Sequence, residues 1–312
     1  MVIAPETIAE AAARLGSRVR STPVIEIEPG AFATHTSITL KLELMQHTGS
    51  FKPRGAFNRM LTNALPAAGV IAASGGNHGA AVAYAARELG HRAEIYVPET
   101  TPPFKLRRLE QYGAQVVVTG ASYAHALAAS EQRAKRSGAL TVHAYDQPEV
   151  VAGQGTLARE LERQAPELDT VFVAVGGGGL IGGVAAWYAG RTRVIGVEPQ
   201  SCPTLARALE ASRPVDVDVG GIAADSLGAR RIGDIAFAVA QRYVERIVLV
   251  SDEEIVAAQR LLWDRLRVLA EPGGATALAG LLSGRYAARA EERVAVVVCG
   301  GNVDPGRFAV KH

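Results

Sequence analysis

The chain has little cysteine, little lysine and no long run of one charge. Cys202 and Cys299 are its two cysteines among 312 residues, which is too few for a disulfide framework, so a reducing cytoplasm is expected. Its 33 basic and 31 acidic residues leave a net charge of +2. Because these charges are dispersed along the chain, neither nucleic acid nor an anionic membrane is an expected partner.

The usual marks of export and membrane insertion are also missing. Residues 1–13 do not show a basic start followed by an apolar core, so no secretory signal is expected. Residues 171–190 are uncharged and long enough to span a membrane, but seven of them are glycines and four of those are consecutive. That pattern is typical of a strand, a loop and a helix, and it argues against a transmembrane helix.

Short apolar runs alternate with helical segments over most of the chain. The composition is 48% hydrophobic and 21% charged, as in an ordinary soluble globular protein. Runs such as Val70–Ala73 and residues 171–175 predict buried strands, and the segments between runs predict helices. This alternation predicts an α/β protein with parallel sheets. Residues 213–232 show no regular pattern, and Asp252 is the predicted N-cap of a helix that ends near Leu269.

Lys52 has an unusual setting. It is one of only five lysines, and the only one flanked by phenylalanine, proline and nearby glycines. An alternating run at residues 38–43 predicts a strand before it, and Pro53 suits the first turn of a helix after it. A partly desolvated lysine has a lowered pKa and can act as an amine nucleophile. On these residues alone, a surface lysine at a helix start is the alternative.

Three glycine-bearing loops follow predicted strands, at residues 74–79, 176–179 and 299–302. Ligands bind at the carboxyl ends of strands in open parallel sheets, so we expect these loops to face one cleft with Lys52. Four consecutive glycines before a helix predict a phosphate site made of backbone N–H groups. The alternative is a dinucleotide fingerprint on residues 177–182 with Glu198 as the ribose acid, which leaves Lys52 and two of the loops unexplained.

Asn77, His78 and Cys299 each have a simple structural interpretation. Asn77 can cap a helix, His78 can be structural, and Cys299 at the end of an apolar strand can act as a small hydrophobic residue. However, Gly75 and Gly76 beside Asn77 permit close approach of a planar ligand. A lysine amine, a phosphate site and loops open to a flat ring together predict pyridoxal phosphate, with Lys52 forming the Schiff base.

Six motifs, in order, resemble those of the serine/threonine dehydratases, which are fold-type II (tryptophan synthase β-like) pyridoxal phosphate enzymes. They lie at residues 48–56, 74–79, 153–156, 176–180, 271–274 and 299–302 and so span nearly the whole chain. The resemblance implies two domains, each an open, mainly parallel twisted sheet flanked by helices. The small domain would comprise residues 69–146, and the large domain would combine residues 1–68 with 147–312.

The resemblance also implies a role for each motif. Lys52 would be the catalytic residue, holding the cofactor and then taking the Cα proton, with Phe51 against the pyridine ring. Asn77 would hydrogen-bond the ring hydroxyl, and Cys299 would face the ring nitrogen as a neutral thiol. The cofactor phosphate would bind to Gly176, Gly177, Gly178 and Gly179. The substrate carboxylate would bind to Ser74, Gly75, Gly76, Asn77 and His78.

The implied reaction is β-elimination of water from a 3-hydroxy amino acid, L-threonine or L-serine, giving a 2-oxo acid and ammonia. Serine racemases resemble the chain but carry a second serine where it has Gly75, so racemisation is disfavoured. Ala80 replaces a frequent glutamine and keeps open an unusual substrate such as hydroxyaspartate, phenylserine or a hydroxyectoine-derived amino acid. A nucleotide-binding dehydrogenase is the alternative from another class.

Further comparisons within the resemblance concern metal, assembly and length. Glu198 and Cys202 fit the cation site of the racemases, but Thr204 replaces its aspartate, so no metal is predicted. Threonine synthases have an aspartate where this chain has Pro53. The chain stops at His312, so the regulatory domain of biosynthetic threonine deaminases is expected to be absent. A homodimer is expected from the resemblance.

Overall fold

The computed structural model describes residues 3–32 and 34–304. Within them the chain alternates strands and helices. The strands, in chain order, are β1 (Val24–Ile27), β2 (Ile38–Lys41), β3 (Val70–Ala73), β4 (Ala93–Val97), β5 (Ala114–Val118), β6 (Leu140–Thr141), β7 (Thr170–Ala174), β8 (Arg193–Pro199), β9 (Val244–Val250) and β10 (Val294–Val297).

The α-helices fill most of the connections between these strands. They are α1 (Pro5–Leu15), α2 (Lys52–Thr62), α3 (Asn77–Glu88), α4 (Pro103–Gln111), α5 (Tyr123–Ser137), α6 (Pro148–Gln164), α7 (Gly179–Tyr188), α8 (Thr204–Glu210), α9 (Ala224–Leu227), α10 (Asp234–Tyr243), α11 (Asp252–Leu266) and α12 (Pro272–Leu282). None of the described helices is both long enough and apolar enough to cross a membrane.

The strands form two sheets. One has six strands in the order β1-β2-β10-β7-β8-β9, and the other has four in the order β5-β4-β3-β6. Neighbouring strands are parallel in both sheets except β1, which pairs antiparallel with β2. Helices cover the sheets, so β3, β7 and β10 are buried along their whole length. The predicted fold class is therefore confirmed.

The four-stranded sheet takes its strands from residues 70–141 alone, and the six-stranded sheet takes its strands from both sides of that segment. The bounds given above for the two domains, 69–146 for the small one, remain a prediction. Ala80, which replaces a frequent glutamine, is 1% exposed and lies in the hydrophobic core beside the four-stranded sheet.

The glycines of residues 153–156 suggest a loop ahead of a helix that runs to about Arg163, and this interpretation was wrong. They are buried in the interior of α6. A Cβ atom on Gly153 would lie 2.5 Å from the carbonyl oxygen of Arg54, and one on Gly155 would lie 2.6 Å from Ile8 Cδ1. These glycines therefore let α6 pack closely against α2 and α1, a tertiary requirement that local sequence does not reveal.

The prediction of Asp252 as a helix N-cap was wrong by one residue. The cap is Ser251, whose hydroxyl accepts from the Glu254 backbone N–H at 3.3 Å, while the Glu254 carboxylate accepts from the Ser251 N–H at 2.8 Å. This is a capping box, which satisfies two free backbone donors at once. The Asp252 carboxylate instead accepts from the backbone N–H of Ile222 at 3.1 Å. Helices α8 and α10 were not predicted.

Candidate functional site

Lys52 is the first residue of α2 and lies beside the end of β10. The backbone N–H of Phe51 donates to the carbonyl oxygen of Cys299 at 3.1 Å, and Ser50 forms a bridge with Gly300. The loop after β2 is thus held against the loop after β10, as the parallel sheet predicts. The lysine is consequently fixed at the carboxyl edge of the six-stranded sheet.

The Lys52 amine points inward. Its Nζ donates to the carbonyl oxygen of Ala144 at 2.8 Å and lies 5.1 Å from the centre of the Phe51 ring. Burial lowers the pKa of Lys52 to about 8, against the opposing influence of Cys299 and Glu271. A substantial fraction of the amine is therefore neutral near pH 8, so it is available as a nucleophile or base.

The glycine loop, residues 176–179, leads directly into α7. Gly178 is the N-cap with φ +94°, a conformation that favours glycine. A Cβ atom on Gly177 would collide with the Tyr145 ring, and one on Gly176 would lie 2.9 Å from Leu227 Cα. The first N–H groups of α7 have no acceptor within the helix. The loop therefore presents backbone donors and a helix N-terminus where side chains do not fit.

Residues 144 and 145 join the lysine to the glycine loop. Ala144 supplies the carbonyl that accepts from Lys52. The next residue, Tyr145, packs against the glycine loop, since a Cβ atom on Gly179 would lie 3.0 Å from Tyr145 Cα. The structure thus brings Lys52 to Ala144, and Gly177 and Gly179 of the glycine loop to the next residue, Tyr145. Sequence reasoning did not identify Tyr145.

Asn77, the first residue of α3, connects the loops from both sheets. Its Nδ2 donates to Glu271 Oε1 at 2.6 Å, and its Oδ1 accepts from Asn302 Nδ2 at 2.7 Å. Burial raises the pKa of Glu271 to about 7, while the hydrogen bond from Asn77 favours the charged carboxylate. The asparagine loop, residues 74–79, therefore meets the start of α12 and the loop after β10.

The other residues of the asparagine loop differ in their burial and in their hydrogen bonds. The His78 ring is buried, with Nε2 2.8 Å from the carbonyl oxygen of Val142, and burial lowers its pKa to about 3. Its imidazole is therefore neutral and engaged away from solvent. The Ser74 hydroxyl accepts from the Gly76 N–H at 3.2 Å. A Cβ atom on Gly75 would lie 3.0 Å from Thr101 Cγ2, which leaves little room for a serine there.

Cys299 follows the end of β10, and only 4% of its surface is exposed to solvent. Its thiol donates a weak hydrogen bond of 3.5 Å to the carbonyl oxygen of Gly273, and burial raises its pKa. The thiol is therefore neutral at ordinary pH.

The irregular segment 213–232 closes one wall of the site. Leu227 lies against Gly176, and the Ser226 hydroxyl occupies the space that a side chain on Gly273 would need. Asp225, in the same short helix α9, forms a salt bridge with Lys105 of α4. Sequence reasoning missed these residues because the segment has no periodicity that would place it.

Glu198 has a structural role in the observed fold. Its two carboxylate oxygens accept from the backbone N–H groups of Leu205 and Ala206 at 2.7 and 2.9 Å, at the start of α8. The carboxylate is thus already engaged, which argues against the ribose contact of the dinucleotide alternative. Over residues 3–32 and 34–304, no group of three or more histidine, cysteine or acidic side chains is placed to hold a metal ion.

The model of the protein family described as pyridoxal-phosphate dependent enzyme matches residues 16–300. The chain belongs to this family. The predicted resemblance and the predicted cofactor, pyridoxal phosphate, are therefore confirmed. The residues present fit that cofactor, because a buried amine of lowered pKa stands beside a side-chain-free loop at a helix N-terminus.

Individual relatives are similar over most of the chain. A biosynthetic L-threonine dehydratase from Haemophilus influenzae is 40% identical over 277 residues, covering 86% of this chain and 54% of the relative. Phenylserine dehydratase from Ralstonia pickettii is 39% identical over 312 residues, covering 97% of this chain and 94% of the relative. The structure of maize serine racemase superimposes with a TM-score of 0.93 at 32% sequence identity, and the match covers 99% of this chain and 96% of the racemase chain. The chain thus spans about half the length of the first relative.

Proposed function

We propose that the protein is a lyase that eliminates water from L-threonine or L-serine and, after one water hydrolyses the eliminated product, releases a 2-oxo acid and ammonia. The observation that carries this proposal is the Lys52 amine, inward-pointing, with a pKa lowered to about 8 and linked through Ala144 and Tyr145 to the glycine loop. The name of the Haemophilus influenzae relative, a threonine dehydratase, supports the same reaction.

Lys52 has two tasks in this proposal. Its neutral amine would hold the cofactor through a covalent bond, and the same amine, when free, would take the proton from substrate Cα as general base. A pKa near 8 leaves part of the amine unprotonated at neutral pH, where an ordinary lysine would be almost fully charged. Pyridoxal phosphate, when bound, supplies an electron-withdrawing ring that stabilises negative charge at Cα.

The remaining cofactor contacts follow from the site's donors. The N–H groups of residues 176–179 and the N-terminus of α7 would hold the phosphate. Phe51 would lie against the ring, and Asn77 would donate to the ring hydroxyl. Because burial raises the pKa of Cys299, its neutral thiol would not protonate the ring nitrogen. The thiol would therefore leave the ring less electron-withdrawing than an acidic partner at the same position would.

The substrate carboxylate would bind at the asparagine loop. Ser74, Gly75, Gly76, Asn77 and His78 lead into the N-terminus of α3, where backbone N–H groups and the helix dipole favour an anion. The His78 ring contributes no charge there, because its pKa is lowered to about 3 and its Nε2 contacts the Val142 carbonyl. Backbone donors are thus the main contacts to the carboxylate.

The test of the proposed reaction is release of 2-oxo acid and ammonia in equal amounts. We expect turnover with L-threonine or L-serine and none with a Lys52→Ala variant. Hydroxyaspartate, phenylserine and the hydroxyectoine-derived amino acid would be assayed in parallel. Absence of turnover on threonine and serine, with turnover on another member of the panel, would contradict the proposed substrate.

A second candidate is dehydration of phenylserine. It is supported by the 39% identity to phenylserine dehydratase, which covers 94% of that relative. Racemisation is less well supported despite the structural likeness to maize serine racemase, since Gly75 has little space for the serine that racemases carry. Chiral analysis of recovered serine in the same assay distinguishes racemisation from elimination.

We further propose that the enzyme acts as a cytoplasmic homodimer in threonine and serine catabolism. Light scattering on the purified protein measures its oligomeric state, and we expect a mass of twice 32.7 kDa. A mass of one chain at micromolar concentration would contradict it.

A further inference from the structure

The Asn77 side-chain amide is hydrogen-bonded at both ends. Nδ2 donates to Glu271 Oε1 at 2.6 Å, and Oδ1 accepts from Asn302 Nδ2 at 2.7 Å. Both partners come from the six-stranded sheet side of the site, whereas Asn77 follows the four-stranded sheet. Nothing in the reaction described above uses either Glu271 or Asn302.

The direction of these hydrogen bonds is fixed by groups that have a single role. The Glu271 carboxyl, with its pKa raised to about 7, is in part protonated at neutral pH and does not fix the direction by itself. The Thr48 carbonyl does, because it holds the Asn302 NH₂ group in place against Asn77 Oδ1 and so leaves the Asn77 NH₂ group facing Glu271. Asn302 Nδ2 also donates to the backbone carbonyl oxygen of Thr48 at 2.8 Å, and a carbonyl only accepts. Thr48 is itself held by Arg108, whose guanidinium donates to the same oxygen at 2.6 Å. The Asn77 amide therefore has one permitted orientation.

That orientation leaves one Asn77 N–H uncommitted to Glu271. An asparagine NH₂ group has two donors, and the Glu271 bond uses one of them. We propose that Glu271 and Asn302 are positioning residues that turn the Asn77 amide so that its second N–H, and not its oxygen, meets the ring hydroxyl of pyridoxal phosphate. The inference rests on the Asn77 contact in the proposed function. A donor there favours the ionised ring oxygen, which sets the absorption of the bound cofactor.

The burial of Glu271 fits this role better than a purely structural one. Its side chain is 6% exposed, and Gly300 leaves it room where a Cβ atom would collide with Oε1. A buried carboxylate is costly unless it is hydrogen-bonded, and an apolar residue of similar size would fill the same space. What the carboxylate adds is a fixed acceptor for Asn77.

The test compares Glu271→Leu with Glu271→Gln. Gln retains an oxygen that accepts from Asn77, whereas Leu retains only the shape. Pyridoxal phosphate is titrated into cofactor-free protein, and its dissociation constant and absorption maximum are measured. We expect Glu271→Leu to raise the dissociation constant about tenfold, roughly the loss of one hydrogen bond, and to shift the maximum. Glu271→Gln should stay within about twofold of the parent with an unchanged maximum.

Two further variants complete the comparison. Glu198→Gln, a buried carboxylate that caps α8, is the control and should change neither quantity. Asn302→Leu removes the donor at the other end of the amide and should shift the maximum in the same direction as Glu271→Leu, which keeps the test valid if the latter fails to fold. The inference is overturned if the absorption maximum is unchanged in both Leu variants. It is also overturned if the maximum shifts equally in Glu271→Gln and Glu271→Leu. Because the readout is cofactor binding, a parent enzyme that binds the cofactor but turns over no hydroxy amino acid defeats only the proposed reaction.

Discussion

The Lys52 amine donates to the carbonyl oxygen of Ala144 at 2.8 Å, across a sequence separation of 92 residues. The residue after Ala144 is Tyr145, which lies against the glycine loop that begins α7. A cofactor attached to Lys52 would therefore have the glycine loop beside the segment that the free amine contacts.

The first prediction concerns the pH at which the cofactor-free protein captures pyridoxal phosphate. Only the neutral amine is a nucleophile, and the pKa of Lys52 is lowered to about 8 by burial. The growth of visible absorbance gives the capture rate, which is divided at each pH by the capture rate of a small primary amine. The pH dependence of this ratio should show Lys52 titrating near pH 8. A titration near the ordinary lysine value of about 10.4 would contradict the buried-amine account.

The lowered pKa of Lys52 also has a consequence for stability. Between pH 8 and the ordinary lysine value, the unfolded chain binds a proton at Lys52 that the folded chain has released. The free energy of unfolding of the cofactor-free parent should therefore rise with pH across this window relative to Lys52→Met, which has no titrating amine. Urea unfolding of both proteins measures the difference, and a difference that does not grow with pH would contradict the prediction.

The second prediction concerns Gly177→Ala. A Cβ atom there would collide with the Tyr145 ring, so the loop or the ring must move. We expect a cost of about 1–3 kcal/mol, divided between stability and cofactor binding. Gly220→Ala is the matched control, because a Cβ atom at Gly220 would meet nothing within 4 Å. Equal cofactor affinities and unfolding midpoints for the two variants would show that the loop is not confined by Tyr145.

The third prediction concerns the buried charges that hold the start of α2. Arg54, two residues after Lys52, is 1% exposed and donates to Glu43 at 2.7 Å and to Glu160 at 3.0 Å. Glu160 also pairs with the buried Lys41 at 2.5 Å. Removing one partner leaves a buried charge uncompensated, so Arg54→Met should lower the free energy of unfolding by about 3–5 kcal/mol.

Arg207→Met is the control for Arg54→Met. Arg207 pairs with Glu210 on the surface of α8, with 56% and 62% of the two side chains exposed. Such exposed pairs contribute at most about 1 kcal/mol. Urea unfolding of both variants with saturating cofactor gives the comparison. Similar losses in the two variants would mean that the Arg54 cluster is no more important for stability than a surface pair.

Local sequence was sufficient for most of the sheet strands and for the loops that follow them. Val70–Ala73 and Val294–Val297 are buried on both faces, so they read as continuous apolar runs. Consecutive glycines after residue 175 indicated a backbone site, and their close contacts show why side chains are excluded. Lys52 was found because its apolar, glycine-flanked setting is unusual for a lysine.

Other features depend on contacts between distant segments. Gly153 and Gly155 look like loop residues in the sequence, yet they allow α6 to pack against α2 and α1. Tyr145 has no local signal, because its importance comes from the glycine loop that folds against it. The Glu271 carboxylate stands in a motif that was recognised, but its partners Asn77 and Asn302 are known only from the fold.

The most direct test of the central claim is borohydride reduction of the purified, coloured enzyme, followed by proteolysis and mass spectrometry. We expect that visible absorbance is lost and that one pyridoxyl phosphate group is found on the peptide containing Lys52, with no label in Lys52→Ala. Label on Lys41, Lys105 or Lys135 in place of Lys52, or a colourless parent protein that takes up no pyridoxal phosphate, would contradict it.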